Sequence, residues 1–314
     1  MKKKAIIVSI KGLKLTKKER FLLLNENPWG LILFKRNIKS LSQVKLLIAN
    51  IRNLTKDKNF PILIDEEGAT VSRLINLINH KFTAKYFGTL YLNNKKLCVT
   101  LYKKYLVSLC KILKKIGLNI NTIPVLDVLR LNTSSVIGDR SFSTNPNIVK
   151  LLGQITVKYC HKNGVICVIK HIPGHGCAII DSHYKMPKVN TNIKELKEID
   201  FYPFKNSSAK MAMTAHILYK KIDTKNVATF SNKIISKTIR KKIGFKGILI
   251  SDDISMKALK YNLVTNAKKS IEAGCNLVLY CGGNINDNFK LIKSVPFIDK
   301  FTAKKTSEIY KILR

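Results

Sequence analysis

VICVIKHIPGHG, residues 165–176, opens as a run of apolar, mostly β-branched side chains and closes on a lysine, two histidines and a glycine-bounded turn. A run without polar alternation has no wet face, so it belongs in a sheet covered on both sides. Seven further runs have that character: AIIVSI (5–10), GLILF (30–34), FPILID (60–65), INTIPVLDV (120–128), AKMAMTAHI (209–217), GILISDD (247–253) and NLVLYC (276–281). Helical patterns lie between them. Thr16 with Glu19 and Ser40 with Gln43 have capping-box spacing, and Pro28 stops the first helix. Leu101, Tyr105, Leu109, Ile112, Leu113 and Ile116 form an apolar stripe at helical spacing. Asn145-Pro146 opens a helix that ends near Gly164, and Ser231 opens another that ends near Gly244.

Eight strands joined by helical crossovers predict an α/β fold, a (β/α)₈ TIM-type barrel forming a single domain over residues 1–314. A doubly wound sheet is the rival and leaves some of the eight unused. In a barrel, chemistry gathers at the carboxyl ends of the strands. Asp65, Asp127, Lys170-His171, His216 and Asp252-Asp253 stand at five of those ends. Loops are polar in any case, so no single one of these residues marks a site; the five ends together, including Lys-His and Asp-Asp, point to one.

Composition excludes some classes and leaves others open. Fifty-seven Lys and Arg against 19 Asp and Glu give a net charge of +38, which invites a polyanion partner. The lysines are spread along the whole chain, however. It is also rich in Lys, Ile and Asn, whose codons are A/U-rich, so base-composition drift accounts for the charge at least as well. No specific nucleic-acid partner is expected. No apolar run approaches the roughly 20 residues of a membrane span. The basic start MKKKAIIVSI imitates an export signal, but its apolar run is too short and lacks a small-residue cleavage site, so a cytoplasmic location is expected; a monomer is expected as well. Seven scattered cysteines without CxxC spacing are read as reduced and mostly buried.

Three of the six histidines, His171, His175 and His183, fall within residues 170–183. His171 and His175 have the i, i+4 spacing of a zinc pair, but Pro173 and Gly174 between them argue against the helix it requires. GHG is too short for a phosphate loop. No metal and no cofactor is expected. His175 reads equally well as a turn residue hydrogen-bonded into the loop base. Asp181 and His183, two apart in a long loop, can form a carboxylate–imidazole dyad that moves protons near neutral pH. Asp252, across the barrel mouth, is the candidate nucleophile. A carboxylate nucleophile with a separate proton donor is the apparatus of retaining glycosidases.

KHIPGHG with the following DSH, ILISDDISM, LIDEEG with Arg73, IGDRSF and GLILFKRN together resemble the family 3 glycoside hydrolases. More narrowly, the chain is similar to the bacterial β-N-acetylglucosaminidases of muropeptide recycling. The resemblance implies that Asp252 is the nucleophile and that His183, paired with Asp181, is the acid/base. Asp65, Arg73, Arg140, Lys170 and His171 are implied to bind sugar hydroxyls. His216 is implied to line the pocket floor and Met256 to touch the sugar, while Asp253 stabilises its loop. The implied reaction is retaining removal of terminal N-acetylglucosamine from peptidoglycan fragments through a glycosyl-aspartate. A phosphorylase of the same fold and a degenerate polyanion-binding protein are the alternatives. Such enzymes commonly read DxEGGRV where this chain has Asp65-Glu66-Glu67-Gly68-Ala69-Thr70-Val71. Ala69 is therefore expected to disturb a backbone position that needs positive φ, and Ile172 replaces a common aromatic.

Overall fold

In a computed structural model, which describes residues 2–182 and 184–313, the eight runs become eight parallel strands of a closed barrel. They are β1 (Lys4–Ser9), β2 (Pro28–Leu33), β3 (Ile62–Ile64), β4 (Ile120–Asn121), β5 (Ile166–Ile172), β6 (Met211–Thr214), β7 (Ile248–Asp253) and β8 (Leu277–Leu279). The last strand closes on the first through Ile6 beside Val278 and Ile7 beside Leu279. That closure excludes the doubly wound alternative, whose sheet has two open edges. β4 is much shorter than the run INTIPVLDV, because Pro124 has no N–H to give to the ladder. Beyond it only Val125 still bridges to Lys170.

Side chains alternate across a strand with period two. Leu63, Ile166, Val168, Ile248, Ile250 and Leu277 point into the barrel and pack together there. Their neighbours Ile64, Cys167, Ile169, Leu249 and Val278 join the larger core between strands and helices. Each buried aliphatic side chain contributes about 1.5–3 kcal/mol, and both faces of every strand collect it. Carried two residues past the apolar part, the same period brings Asp65, Lys170, Asp252 and Cys281 inward at the carboxyl end.

The helices follow from their caps. Thr16 and Glu19 form the capping box before Lys17–Asn25: the Glu19 N–H donates to the Thr16 hydroxyl at 3.2 Å and the Thr16 N–H to Glu19 at 2.7 Å. Ser40 caps Leu41–Thr55, but the Gln43 side chain accepts from the Lys39 N–H, one residue earlier than a capping box requires. Asn145 caps Pro146–Lys162. The helix after Ser231 is a wide-wound π-helix, Lys233–Ile243, ended by Gly244 at φ 77°. In Lys95–Ile116 the buried stripe runs through Cys98, Tyr102, Leu106, Leu109, Leu113 and Ile116, whereas Leu101 is 38% exposed. The stripe is rotated from the expected one because Tyr102 goes inside with its hydroxyl satisfied, 2.7 Å from the Thr156 hydroxyl. All seven cysteines are free. Among the described residues, no helix is long and apolar enough to cross a membrane.

The amino end of the barrel is plugged by the last helix, Lys300–Leu313. Ile309 is fully buried against the inward-facing cluster. The indole N–H of Trp29, at the start of β2, donates to the Thr306 hydroxyl at 2.9 Å. Lys3 and Tyr310 both bond Asp57, at 2.8 and 2.6 Å. Only the carboxyl end is left for a ligand. Thr306→Val leaves the buried indole N–H without an acceptor and is expected to cost about 1–3 kcal/mol. The fluorescence of Trp29, the sole tryptophan, reports this directly in a denaturant titration.

Candidate active site

Lys170 organises the mouth. It is 3% exposed, so its ammonium must find partners inside the protein. Its Nζ lies 2.6 Å from Glu67, 3.4 Å from Asp65 and 2.9 Å from the Thr122 hydroxyl. Asp65 also receives the Thr122 hydroxyl and, at 3.3 Å, the Arg73 guanidinium. Burial opposes ionisation of Asp65, but Lys170, Arg73 and Thr122 outweigh it and hold the carboxyl well below the usual carboxylate range. Arg140 grips Glu67 with a two-pronged pair, Nε and Nη2 donating at 2.7 and 2.9 Å. Against the opposing effect of burial, Arg140 and Lys170 bring the Glu67 carboxyl down to about 2.

Glu66, fully buried, staples the loop that follows β3. Its carboxylate accepts the Ser72 hydroxyl at 2.6 Å and the backbone N–H groups of Arg73 and Leu74 at 2.8 and 2.9 Å. The position that needs positive φ is Gly68, at 137°, where an added Cβ would stand 2.6 Å from the Phe82 carbonyl. Ala69 is not among the positive-φ residues, so the departure from DxEGGRV leaves this turn intact. The expected disturbance does not occur, because the chain keeps its glycine at the one place where the backbone requires it.

Asp127 is fully buried behind the histidines. It receives the His171 ring through Nδ1 at 2.7 Å, and its other oxygen accepts the backbone N–H groups of His171 and His175 at 3.2 and 2.6 Å. Burial opposes its ionisation; His171 and His175 overcome this and keep it below the ordinary range. With Nδ1 committed, the His171 ring has Nε2 left for the cavity. His175 is anchored through its backbone and by an Nε2 contact of 3.3 Å to the Ser182 hydroxyl, and burial pushes its pKa down to about 4. No helix spans His171 and His175, as the intervening proline and glycine required. Gly176 packs so closely that an added Cβ would stand 1.9 Å from the Val128 carbonyl.

Asp252 ends the inward row of β7. Burial opposes its charge, but His171, His216, the Asp253 N–H at 2.8 Å and Lys170 together hold its pKa below the ordinary value. Asp253 serves the loop: it accepts the Ser255 N–H and hydroxyl and the Cys281 N–H at 3.1, 2.6 and 3.2 Å. Burial raises its pKa.

These groups enclose a cavity of about 340 Å³, lined by Asp65, Glu67, Arg73, Arg140, Lys170, His171, His175, Ser182, Asp252 and Cys281 among others. Six of the residues singled out from sequence thus meet in one space. His216 does not line it. Its two ring nitrogens bond the Thr229 hydroxyl at 2.7 Å and the Asp253 carbonyl at 3.0 Å, so it supports the loop of Asp253 from beneath. Met256 is also absent from the lining and is buried at 8% exposure. His183 lies outside the described residues. Asp181 is described, with its carbonyl accepting the N–H groups of Tyr184 and Lys185, and Ser182 between them reaches the cavity. Glu67 positions Arg140 and Lys170, and Asp127 positions His171 and His175; sequence reasoning missed both as site residues. Asp127 was visible as a strand-end acid, whereas Glu67 had no signal apart from its place two residues after Asp65.

The profile for the glycosyl hydrolase family 3 N terminal domain matches residues 2–302. The chain is 33% identical over 281 residues to a beta-hexosaminidase of Nitrosomonas eutropha, covering 88% of this chain and 80% of that one. It is 32% identical over 297 residues to a beta-hexosaminidase of Neisseria meningitidis, covering 91% and 81%. The solved structure of NagZ from Neisseria gonorrhoeae in complex with N-trifluoroacetyl-D-glucosamine superposes with a TM-score of 0.90 at 30% identity, covering 98% of this chain and 90% of that one. A closed parallel barrel with carboxylates, a lysine and histidines gathered at its carboxyl end, matched along its length by these relatives, is a glycoside hydrolase that acts on carbohydrate, and the chain belongs to glycosyl hydrolase family 3.

Proposed function

We propose that the chain is a retaining exo-β-N-acetylglucosaminidase that releases terminal N-acetylglucosamine from peptidoglycan fragments through a covalent intermediate on Asp252. The reading rests on one observation above the others. Every carboxyl group lining the cavity, Asp65, Glu67 and Asp252, is driven toward its ionised form. None is raised toward neutral pH, as a carboxylic acid must be to donate a proton to a leaving group. Asp65 and Glu67 are moreover occupied by cations. Among the described residues, Asp252 accepts the neighbouring Asp253 N–H alone and is the carboxylate available for attack. The proton must then come from a group of another kind, and the loop carrying Asp181 and His183 enters the cavity edge at Ser182. Relatives named beta-hexosaminidase and the N-trifluoroacetyl-D-glucosamine bound by the gonococcal protein favour an N-acetylglucosaminide as substrate. The cavity size lies at the low end for ligand sites, about 300–1,000 Å³, and suits a single sugar taken from a chain end.

In this mechanism Lys170, Asp65 and Arg73 hold the sugar hydroxyls and His171 presents Nε2 beside the reacting carbon. His183 protonates the glycosidic oxygen while Asp252 attacks the anomeric carbon, so the C–O bond breaks as the aspartyl ester forms. The neutral imidazole then takes a proton from water, whose oxygen displaces Asp252 and restores the original configuration. We further read the protein as a cytoplasmic monomer.

A chromogenic aryl β-N-acetylglucosaminide tests the reading: the purified protein cleaves it and Asp252→Asn abolishes turnover. Retained turnover in that variant refutes the nucleophile assignment. Adding phosphate leaves free N-acetylglucosamine as the product; a sugar phosphate instead would identify a phosphorylase. His183→Ala lowers kcat/KM by roughly 10²–10⁴-fold, with a smaller loss on aryl leaving groups that need less protonation.

The pH profile has a predictable shape. Asp252 must be ionised to attack, and its lowered pKa keeps it so as pH falls. The acid limb of kcat/KM that it governs therefore lies below the ordinary aspartate value of about 3.9. An alkaline limb, where the imidazole loses its proton, disappears in His183→Ala.

A further inference from the structure

We infer that His80, at the far end of the loop after β3, is a positioning residue for sugar binding: it locks the Glu66 carboxylate that sets the backbone of Arg73. This rests on the reading of Arg73 as a sugar-binding residue and names what holds it in place. Glu66 stands at the variable position of the DxEGGRV pattern, and His80 lies beyond that pattern altogether. Glu66 is fixed to the barrel through its own backbone. Its N–H donates to the Asn121 side-chain oxygen at 3.0 Å, and the Asn121 amide donates back to its carbonyl at 2.9 Å. The two oxygens of its buried carboxylate have different partners. One takes the Arg73 and Leu74 N–H groups; the other takes the Ser72 hydroxyl and faces His80 Nε2 at 2.7 Å. A carboxylate held out of water needs compensation for its charge. The Arg73 guanidinium does not supply it, since that group pairs with Asp65. Among the described residues, His80 is the one basic side chain in contact with the Glu66 carboxylate.

His80 is itself held from behind. Its side chain is buried, its Nδ1 lies 3.4 Å from the Tyr105 hydroxyl, and the two rings meet edge to face. Tyr105 belongs to the helix Lys95–Ile116. The imidazole therefore bridges a carboxylate fixed to β4 and a hydroxyl fixed to that helix. The neutral ring with its proton on Nε2 and the imidazolium both present an N–H to Glu66, and the hydroxyl at Nδ1 can donate or accept. Beside this bridge the Ala69 N–H donates to the Phe82 carbonyl at 3.0 Å and joins the two ends of the loop. The segment from Glu66 to His80 is thus closed on itself, with Arg73 near its middle and lining the catalytic cavity. The Arg73 backbone N–H and the His80 ring meet on the same carboxylate, so a Glu66 that turns away from a missing His80 nitrogen carries Arg73 with it. A displacement of about 1 Å is enough to spoil the fit of a positioning group to its ligand.

The test sets two substitutions of opposite character against each other, with a chromogenic aryl β-N-acetylglucosaminide as substrate. His80→Phe keeps a ring against Tyr105 and removes the nitrogen; His80→Gln gives up the ring and keeps an N–H within reach of Glu66. Fluorescence of Trp29, at the opposite end of the barrel, verifies that each variant is folded. His80→Phe raises KM roughly tenfold, within the cost of leaving a buried charged group one donor short. Its kcat stays within about twofold, because the binding removed is shared by substrate and transition state. His80→Gln stays within about threefold of the wild type in KM, since its amide still gives the carboxylate a charge-assisted bond. In an Arg73→Ala background, adding His80→Phe raises KM no further, as two residues on one path are not additive. Wild-type KM in His80→Phe, an equal loss in His80→Gln, a loss confined to kcat, or an undiminished effect in the Arg73→Ala background overturns the inference. If the wild type does not cleave the substrate, the glycosidase reading fails instead. Calorimetric binding of N-acetylglucosamine to the wild type and the two His80 variants then reads the loop independently of turnover: affinity falls in His80→Phe alone, and equal affinities overturn the inference.

Discussion

A lysine ammonium buried at the mouth of the barrel dictates how everything around it is arranged. Lys170 lies on the inward row of β5 at 3% exposure, and removing a charge from water costs several kcal/mol unless partners replace the solvent. Glu67, Asp65 and Thr122 replace it. Each acid so recruited needs its own counter-ion, which brings in Arg140 for Glu67 and Arg73 for Asp65. The loop carrying Glu67 must then be held in place, and Glu66 does this from inside by taking two backbone N–H groups and a hydroxyl. One buried charge accounts for the conformation of the loop after β3 and for its docking on the loop after β4.

The same electrostatics divide the acids of the site into two kinds. Asp65, Glu67 and Asp127 have oxygens engaged by cations, hydroxyls or N–H groups, which fixes their charge and orientation. Burial opposes the charge of Asp252, which is held ionised by His171, His216, the Asp253 N–H and Lys170, and its oxygens are less occupied. A nucleophile needs that combination of full charge and an open lone pair. Asp253, one residue further on, faces the Ser255 and Cys281 donors and is tied into the loop. Two adjacent aspartates are thus given different tasks by the alternation of a strand.

The barrel was legible because its information is local and repeated. Eight apolar runs of similar length each state the same thing about burial, and the helix caps at Thr16, Ser40 and Asn145 follow from hydrogen bonds within four residues. The rotated stripe of Lys95–Ile116 was less legible: Leu101 and Tyr102 are both apolar enough to go inside, and only the Thr156 hydroxyl on another helix decides for Tyr102. In the site, the strand-end residues Asp65, Lys170, His171 and Asp252 could be named in advance. His216 could be named too, but its two hydrogen bonds to Thr229 and to the Asp253 carbonyl come from distant segments and turn it into a support.

By itself, then, the sequence determined the number of strands, their carboxyl-end acids and bases, and the turn-forming glycines, since each depends on neighbours along the chain and on the period of the backbone. The tertiary structure alone decided which of those polar groups pair with each other. Lys170 lies 105 residues from Asp65, and Arg140 lies 73 residues from Glu67. Asp127 reaches His171 and His175 across 44 and 48 residues. Barrel closure brings all of these to one mouth, where burial makes each pairing strong enough to fix which carboxylate is bound by cations and which is left open.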